Sequence, residues 1–211
     1  QADGLNLTRT FSGSYCETVG NFNIANNTLA PAAGKLNCPW ARSDQGGYAG
    51  GGKKFDLTKW DAQYFERLKD FVAKADDAGV VVELVLFCPF YEDSMWNLSP
   101  MNAKNNVNGV STVGREQVYA LKDDKLTAIQ KEMVRKIVTE LKGFQNLYYE
   151  ICNEPYFGGV TLEWQATIAQ VITETEQGLG VKHLIAQNIA NNRQKIEKPN
   201  PQVSIFNFHY A

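Results

Sequence analysis

The sequence has no excess of either charge, no long apolar run and almost no histidine. Lys plus Arg number 21 and Asp plus Glu 23 in 211 residues, a formal charge of -2. That near balance argues against a protein that binds nucleic acid through its charge. No apolar run reaches the roughly 18 residues expected of a membrane-spanning helix. The opening QADGLNLTRTF lacks the basic, apolar and small-residue succession of a leader. The four cysteines, Cys16, Cys38, Cys88 and Cys152, contain no CxxC pair. A chain of this length needs no covalent staples, so free thiols are expected. A Cys16–Cys38 bridge is the exception to look for, because both fall in one irregular region. Only His183 and His209 are present, too far apart in sequence to suggest a zinc triad. There is no Gly-x-Ser-x-Gly elbow. The GGYAGGG stretch lacks the Lys-Ser/Thr ending of a phosphate loop and follows no predicted strand.

What is present is a globular composition, with 44% hydrophobic and 21% charged residues. Such a chain can bury roughly 70% of its extended surface in one domain, here 1–211. Strands are expected at 4–10, 80–87, 147–152, 183–188 and 203–210. VVVELVLF at 80–87 is apolar almost throughout, as suits a strand covered on both faces. Glu83 interrupts it and is expected to be a paired structural carboxylate. Helices are expected at 57–78, 122–142 and 161–177. In the first, Leu57, Trp60, Tyr64, Leu68, Phe71, Val72 and Ala75 recur at helical spacing, with Asp56 or Thr58 as cap. Leu126, Ile129, Met133, Ile137 and Leu141 line the second, and Leu162, Ile168, Val171 and Ile172 the third. Residues 11–55 and 90–114 read as long loops. The alternation defines an α/β chain of right-handed βα repeats with about five parallel strands. Functional residues should gather at one rim, where the strands end.

The most informative segment is LYYEICNEP, a strand running into Asn153-Glu154-Pro155. The proline should end the ladder and hold Glu154 extended, leaving its carboxylate at the strand tip. Asn153 can donate to a sugar hydroxyl. Arg9 is expected at the end of the first strand, placed to grip a carboxylate. Tyr91, Glu92 and Trp96 follow the second strand, and aromatic faces at a cleft rim suit sugar rings. Gln187 and Asn188 follow the fourth, and His209 and Tyr210 the fifth. His183, at a strand start on the opposite face, reads as structural.

This order of signals resembles the clan of retaining glycoside hydrolases built on an eight-stranded β/α (TIM) barrel, and most nearly its cellulase-like branch, glycoside hydrolase family 5. The residues that carry it are Arg9, Asn153-Glu154 and His209-Tyr210, together with GLNLTRTFSGSYCE and WNLSPMNAKNNVNG. The resemblance implies an incomplete barrel covering strands two to six, cut at both ends. Glu154 is then the general acid/base, and Arg9, Tyr91, Trp96, Asn153, His209 and Tyr210 bind substrate. The family's nucleophile, a Glu after strand seven, falls outside the chain, although Glu17 and Glu92 lie on nearby loops. The substrate implied is a β-linked carbohydrate, without metal or other cofactor, nucleic acid or membrane. A secreted or periplasmic setting is slightly favoured. A second chain or further sequence is expected to cover the open barrel edges. A sugar-binding or inactive barrel is the alternative.

Overall fold

The computed structural model describes residues 4–191 and 195–210. Five parallel strands form a curled, open sheet in the spatial order β1 (Leu7–Phe11), β4 (Val81–Phe87), β5 (Leu147–Cys152), β6 (Ile185–Asn191) and β7 (Ile205–His209). This is an incomplete (β/α) barrel, with the strands adjacent in the expected order. Three long helices provide the crossovers: α1 (Ala62–Asp77), α3 (Asp124–Leu141) and α4 (Leu162–Leu179). A short helix, α2 (Asp93–Trp96), lies in the loop after β4. Among the described residues no helix is long and apolar enough to cross a membrane.

The long helices start where a side chain satisfies free backbone N–H groups. Asp61 accepts from the amides of Gln63 and Tyr64 at 2.9 and 3.3 Å. Asp123 accepts from Leu126 and Thr161 from Trp164. Their apolar stripes pack onto the sheet. Val82, Leu84 and Leu86 of β4, Val134 and Ile137 of α3 and Ile168 of α4 are fully buried. At the end of the barrel opposite the strand tips, the His183 ring lies between Glu176 and the Phe144 carbonyl. One ring nitrogen meets a Glu176 carboxyl oxygen and the other the Phe144 carbonyl at 2.7 Å. Burial alone would lower the pKa of His183, but these two bonds raise it. The histidine is structural, as expected.

Several expectations need correction. Residues 11–55 are not all loop. β2 (Trp40–Gly46) and β3 (Lys53–Trp60) form an antiparallel hairpin around the glycine-rich turn. Leu57 and Trp60 therefore belong to β3, and α1 is capped by Asp61 rather than by Asp56 or Thr58. Alternation in KKFDLTKW buries Phe55 and Leu57 on one face while Lys54, Asp56 and Thr58 on the other stay partly or fully in solvent. Phe71 and Leu162 are exposed, outside the stripes in which they were expected. None of the four cysteines is bridged, so Cys16 and Cys38 are not a disulfide. Burial pushes both thiols up to about 12.

The loop after β4 is ordered by buried asparagines. The Asn106 amide donates to the carbonyls of Pro100, Asn102 and Val110 at 2.9–3.1 Å and accepts from the Val110 N–H. Asn105 and Val107 clasp the backbone of Phe55, joining this loop to the hairpin in one wall beside the strand ends. Replacing Asn106 with Ala should strand these groups in the interior and destabilise the chain by about 2 kcal/mol or more. A lowered urea midpoint at unchanged m-value would register it. A midpoint equal to wild type would show that the loop does not depend on Asn106.

Candidate active site

The concave face of the sheet holds a buried polar cluster that leads up to the rim. In register, Arg9 of β1 lies opposite Glu83 of β4. Glu150 of β5 lies opposite Val85, two residues beyond Glu83, so all three side chains share one face. The Arg9 guanidinium bonds Glu150 and lies 3.4 Å from Glu83. Asn207 of β7 donates to Glu150 at 2.6 Å. Arg9 thus sits in the middle of its strand rather than at its end. Its side chain still reaches the rim, donating to Asn153 Oδ1 at 2.9 Å. Two buried carboxylates facing one arginine do not both ionise readily. Burial first, and then the Glu83 carboxyl beside it, raise the pKa of Glu150, against the opposing pull of Arg9.

The expected rim residues converge at the end of β5. Glu154 accepts at one carboxylate oxygen from His209 Nδ1 (3.0 Å) and Tyr210 Oη (2.7 Å). It accepts at the other from Tyr91 Oη (2.7 Å). Its backbone N–H donates to Asn188 Oδ1 at 2.8 Å. Asn153, fixed by Arg9, donates to Tyr91 Oη at 2.9 Å and to the Cys88 sulfur at 3.5 Å. Burial would raise the Glu154 carboxyl, but the bonds from His209, Tyr210 and Tyr91 bring it below the usual glutamate range. Burial drives the Tyr91 phenol far above its ordinary range, so it acts as a neutral donor.

Glu154 is not held extended by Pro155. Its φ is 39°, as Tyr210's is 56°. Positive φ is costly for a residue with a side chain and is maintained only by its surroundings. The loop beyond Pro155 is itself closely packed. At Gly159 (φ 72°) a Cβ would stand 2.2 Å from the Glu116 carbonyl oxygen, so only glycine fits.

Trp96 does not join the group. It is 5% exposed, packs on Phe90 and donates to the Val113 carbonyl. Glu92 is exposed and bonds Ser94. Gln187 and Asn188 lie within β6, and Gln187 bonds Gln165 of α4. Sequence reasoning missed Asn207, and it missed Phe22 and Phe157, whose rings contact Tyr91. A cavity of about 450 Å³ lies beside Glu154, lined in part by Tyr15, Glu17, Phe22 and Phe157. Among the described residues there is no cluster of His, Cys, Asp and Glu fit to hold a metal ion.

The chain is thus an incomplete parallel barrel with a carboxylate at the end of a strand. A family profile described as Cellulase (glycosyl hydrolase family 5) matches residues 35–210, and the chain belongs to that family. No curated protein matches it. Among solved structures it is similar to a protein from Bacteroides vulgatus ascribed to the glycoside hydrolases, with TM-score 0.61 and 15% identity over 95% of this chain and 32% of the other. It is also similar to an exo-β-1,4-mannosidase from an Opitutaceae bacterium, with TM-score 0.51 and 15% identity over 90% of this chain and 26% of the other. At such identities the likeness concerns the fold. The chain spans about a third and about a quarter of these two structures.

The carboxyl cluster carries a pH signature. A glutamate whose native pKa is raised stabilises the fold fully below its unfolded value, near pH ~4.3, and loses that contribution as pH rises through the native value. Stability should therefore fall with pH above the glutamate range, by at most about 1.4 kcal/mol per pH unit for one proton. Glu150→Gln mimics the protonated carboxyl and should flatten this slope. The raised His183 adds a similar fall above pH ~6.5 in both proteins, so the difference between them isolates Glu150. Parallel stability–pH curves would contradict the assignment.

Proposed function

We propose that the chain is part of a retaining glycoside hydrolase acting on β-linked carbohydrate, with Glu154 as general acid/base. The observation that supports it best is the placing of Glu154 at the end of β5, beside a cavity, held by donors from the β4 loop and from the end of β7. Glu154 protonates the departing glycosidic oxygen and then takes a proton from the water that releases the sugar. Asn153, Arg9, Tyr91, His209 and Tyr210 orient the substrate and the acid. The attacking carboxylate belongs to a glutamate outside this chain, roughly 5–5.5 Å from Glu154 in a retaining site. Further sequence or a second chain supplies it and covers the edges at β1 and β7.

The electrostatics of Glu154 fit this division. With its three donors alone the carboxyl is held low, which suits a base. A second carboxylate close by raises it and makes it an acid. Once that carboxylate is consumed in the covalent sugar ester its charge is gone, and Glu154 returns to the base that the second step needs.

In the full-length protein, Glu154→Gln should reduce turnover of a natural β-glycoside about 100–10,000-fold. Bond cleavage of an aryl glycoside with an acidic phenol needs little protonation and should suffer less, so covalent sugar–protein adduct should accumulate. Intact-protein mass spectrometry detects that adduct. Unchanged turnover of the natural linkage would remove Glu154 from the chemistry.

A further inference from the structure

Glu17 is 7% exposed and lines the cavity beside Glu154. It lies in the loop after β1, pinned where its N–H bonds the Leu29 carbonyl at 2.7 Å. Tyr15 Oη donates to one carboxylate oxygen at 3.0 Å and Asn27 Nδ2 to the other at 2.5 Å. No ion pair reaches it among the described residues. A buried carboxylate without a cation is costly unless its lone pairs are bonded. Each oxygen accepts two bonds, and these contacts use one apiece. One acceptor position therefore remains on each of two adjacent oxygens, the arrangement that two neighbouring hydroxyl groups satisfy.

The mouth of the cavity is apolar. Phe22 and Phe157 are 53% and 44% exposed, and their rings lie 5.7 and 5.6 Å from that of Tyr91. Phe22 stands at φ 55° and ψ 14°, an unusual place for a bulky residue. Such strain gathers at ligand clamps. Tyr91 touches both rings and also donates to Glu154, so cavity and carboxylate are contiguous. The volume, about 450 Å³, is of small-ligand size.

We propose that this cavity is a subsite for one neutral pyranose ring, with Glu17 accepting from two adjacent hydroxyls and Phe22 and Phe157 covering the apolar C–H face of the sugar. The proposal rests on the glycoside hydrolase reading and narrows its substrate. A carboxylate here, with no cation beside it among the described residues, favours neutral sugars and rejects uronic acids.

The test is calorimetric binding to the full-length protein. The probes are β-linked disaccharides of glucose, mannose and galactose, and the corresponding hexuronates. At least one neutral probe should bind wild type tenfold or more tighter than its hexuronate. Glu17→Gln should weaken the neutral probe about tenfold and narrow that gap, because a charge-assisted acceptor is lost. Phe22→Ala, at an exposed position, should weaken both kinds of probe similarly and keeps the test valid if Glu17→Gln misfolds. Unchanged affinities in either folded variant, or no binding of any probe to wild type, overturn the subsite. Turnover dependent on Glu154 without these binding patterns would sink the subsite alone. The binding patterns without turnover would sink the catalytic reading alone.

Discussion

The structure depends on one arginine among buried acids. Strands in a sheet stand about 4.8 Å apart, so a flat sheet of this order would set the first and fifth strands about 19 Å from each other. Yet Arg9 of the first strand bonds Glu150 of the third, and Asn207 of the fifth bonds the same carboxyl. Only a curled sheet brings these side chains together. The cluster thus fills the concave face with polar groups where an apolar interior would otherwise need cover. Burial, and then a second acid beside the one cation, raise the pKa of Glu150. A buried network of this kind is favourable only when each member is bonded.

The same arginine connects the fold to the rim. Arg9 fixes the Asn153 oxygen, Asn153 turns its amide to Tyr91, and Tyr91 donates to Glu154. His209 and Tyr210 close on Glu154 from the other side. The positive φ at Glu154 and Tyr210 is therefore enforced from several elements at once. A carboxylate so placed presents its oxygens in a fixed direction, as proton transfer to a bound oxygen requires.

Much of this was legible in the sequence, for identifiable reasons. Helical repeats separate most of the five strands, and the almost continuous apolar run VVVELVLF suits a strand covered on both faces. Asn153-Glu154-Pro155 marked the site because a strand ending in a carboxylate and a proline is chemically conspicuous. The hairpin was missed because its turn, rich in glycine, looks like a linker, and because Leu57 and Trp60 extend the spacing of α1 by coincidence. The alternation in KKFDLTKW was the signal that could have found it. Pro155 suggested an extended Glu154, but bonds from three elements outweighed that local preference. Glu17, Asn106 and Asn207 leave no periodic trace. A buried polar residue is recognised by its partners, and those lie far away in sequence or in loops. Trp96 looked like a rim aromatic, and only the closure of its loop shows it inward.

The most direct measurement is a crystal structure of the full-length protein with a non-hydrolysable β-linked oligosaccharide. The account predicts the bridging oxygen between two rings within hydrogen-bonding distance of the Glu154 carboxylate, with a second carboxylate on the opposite side of the sugar. An oligosaccharide lying elsewhere on the barrel, with Glu154 still enclosed by Tyr91, His209 and Tyr210, would contradict it.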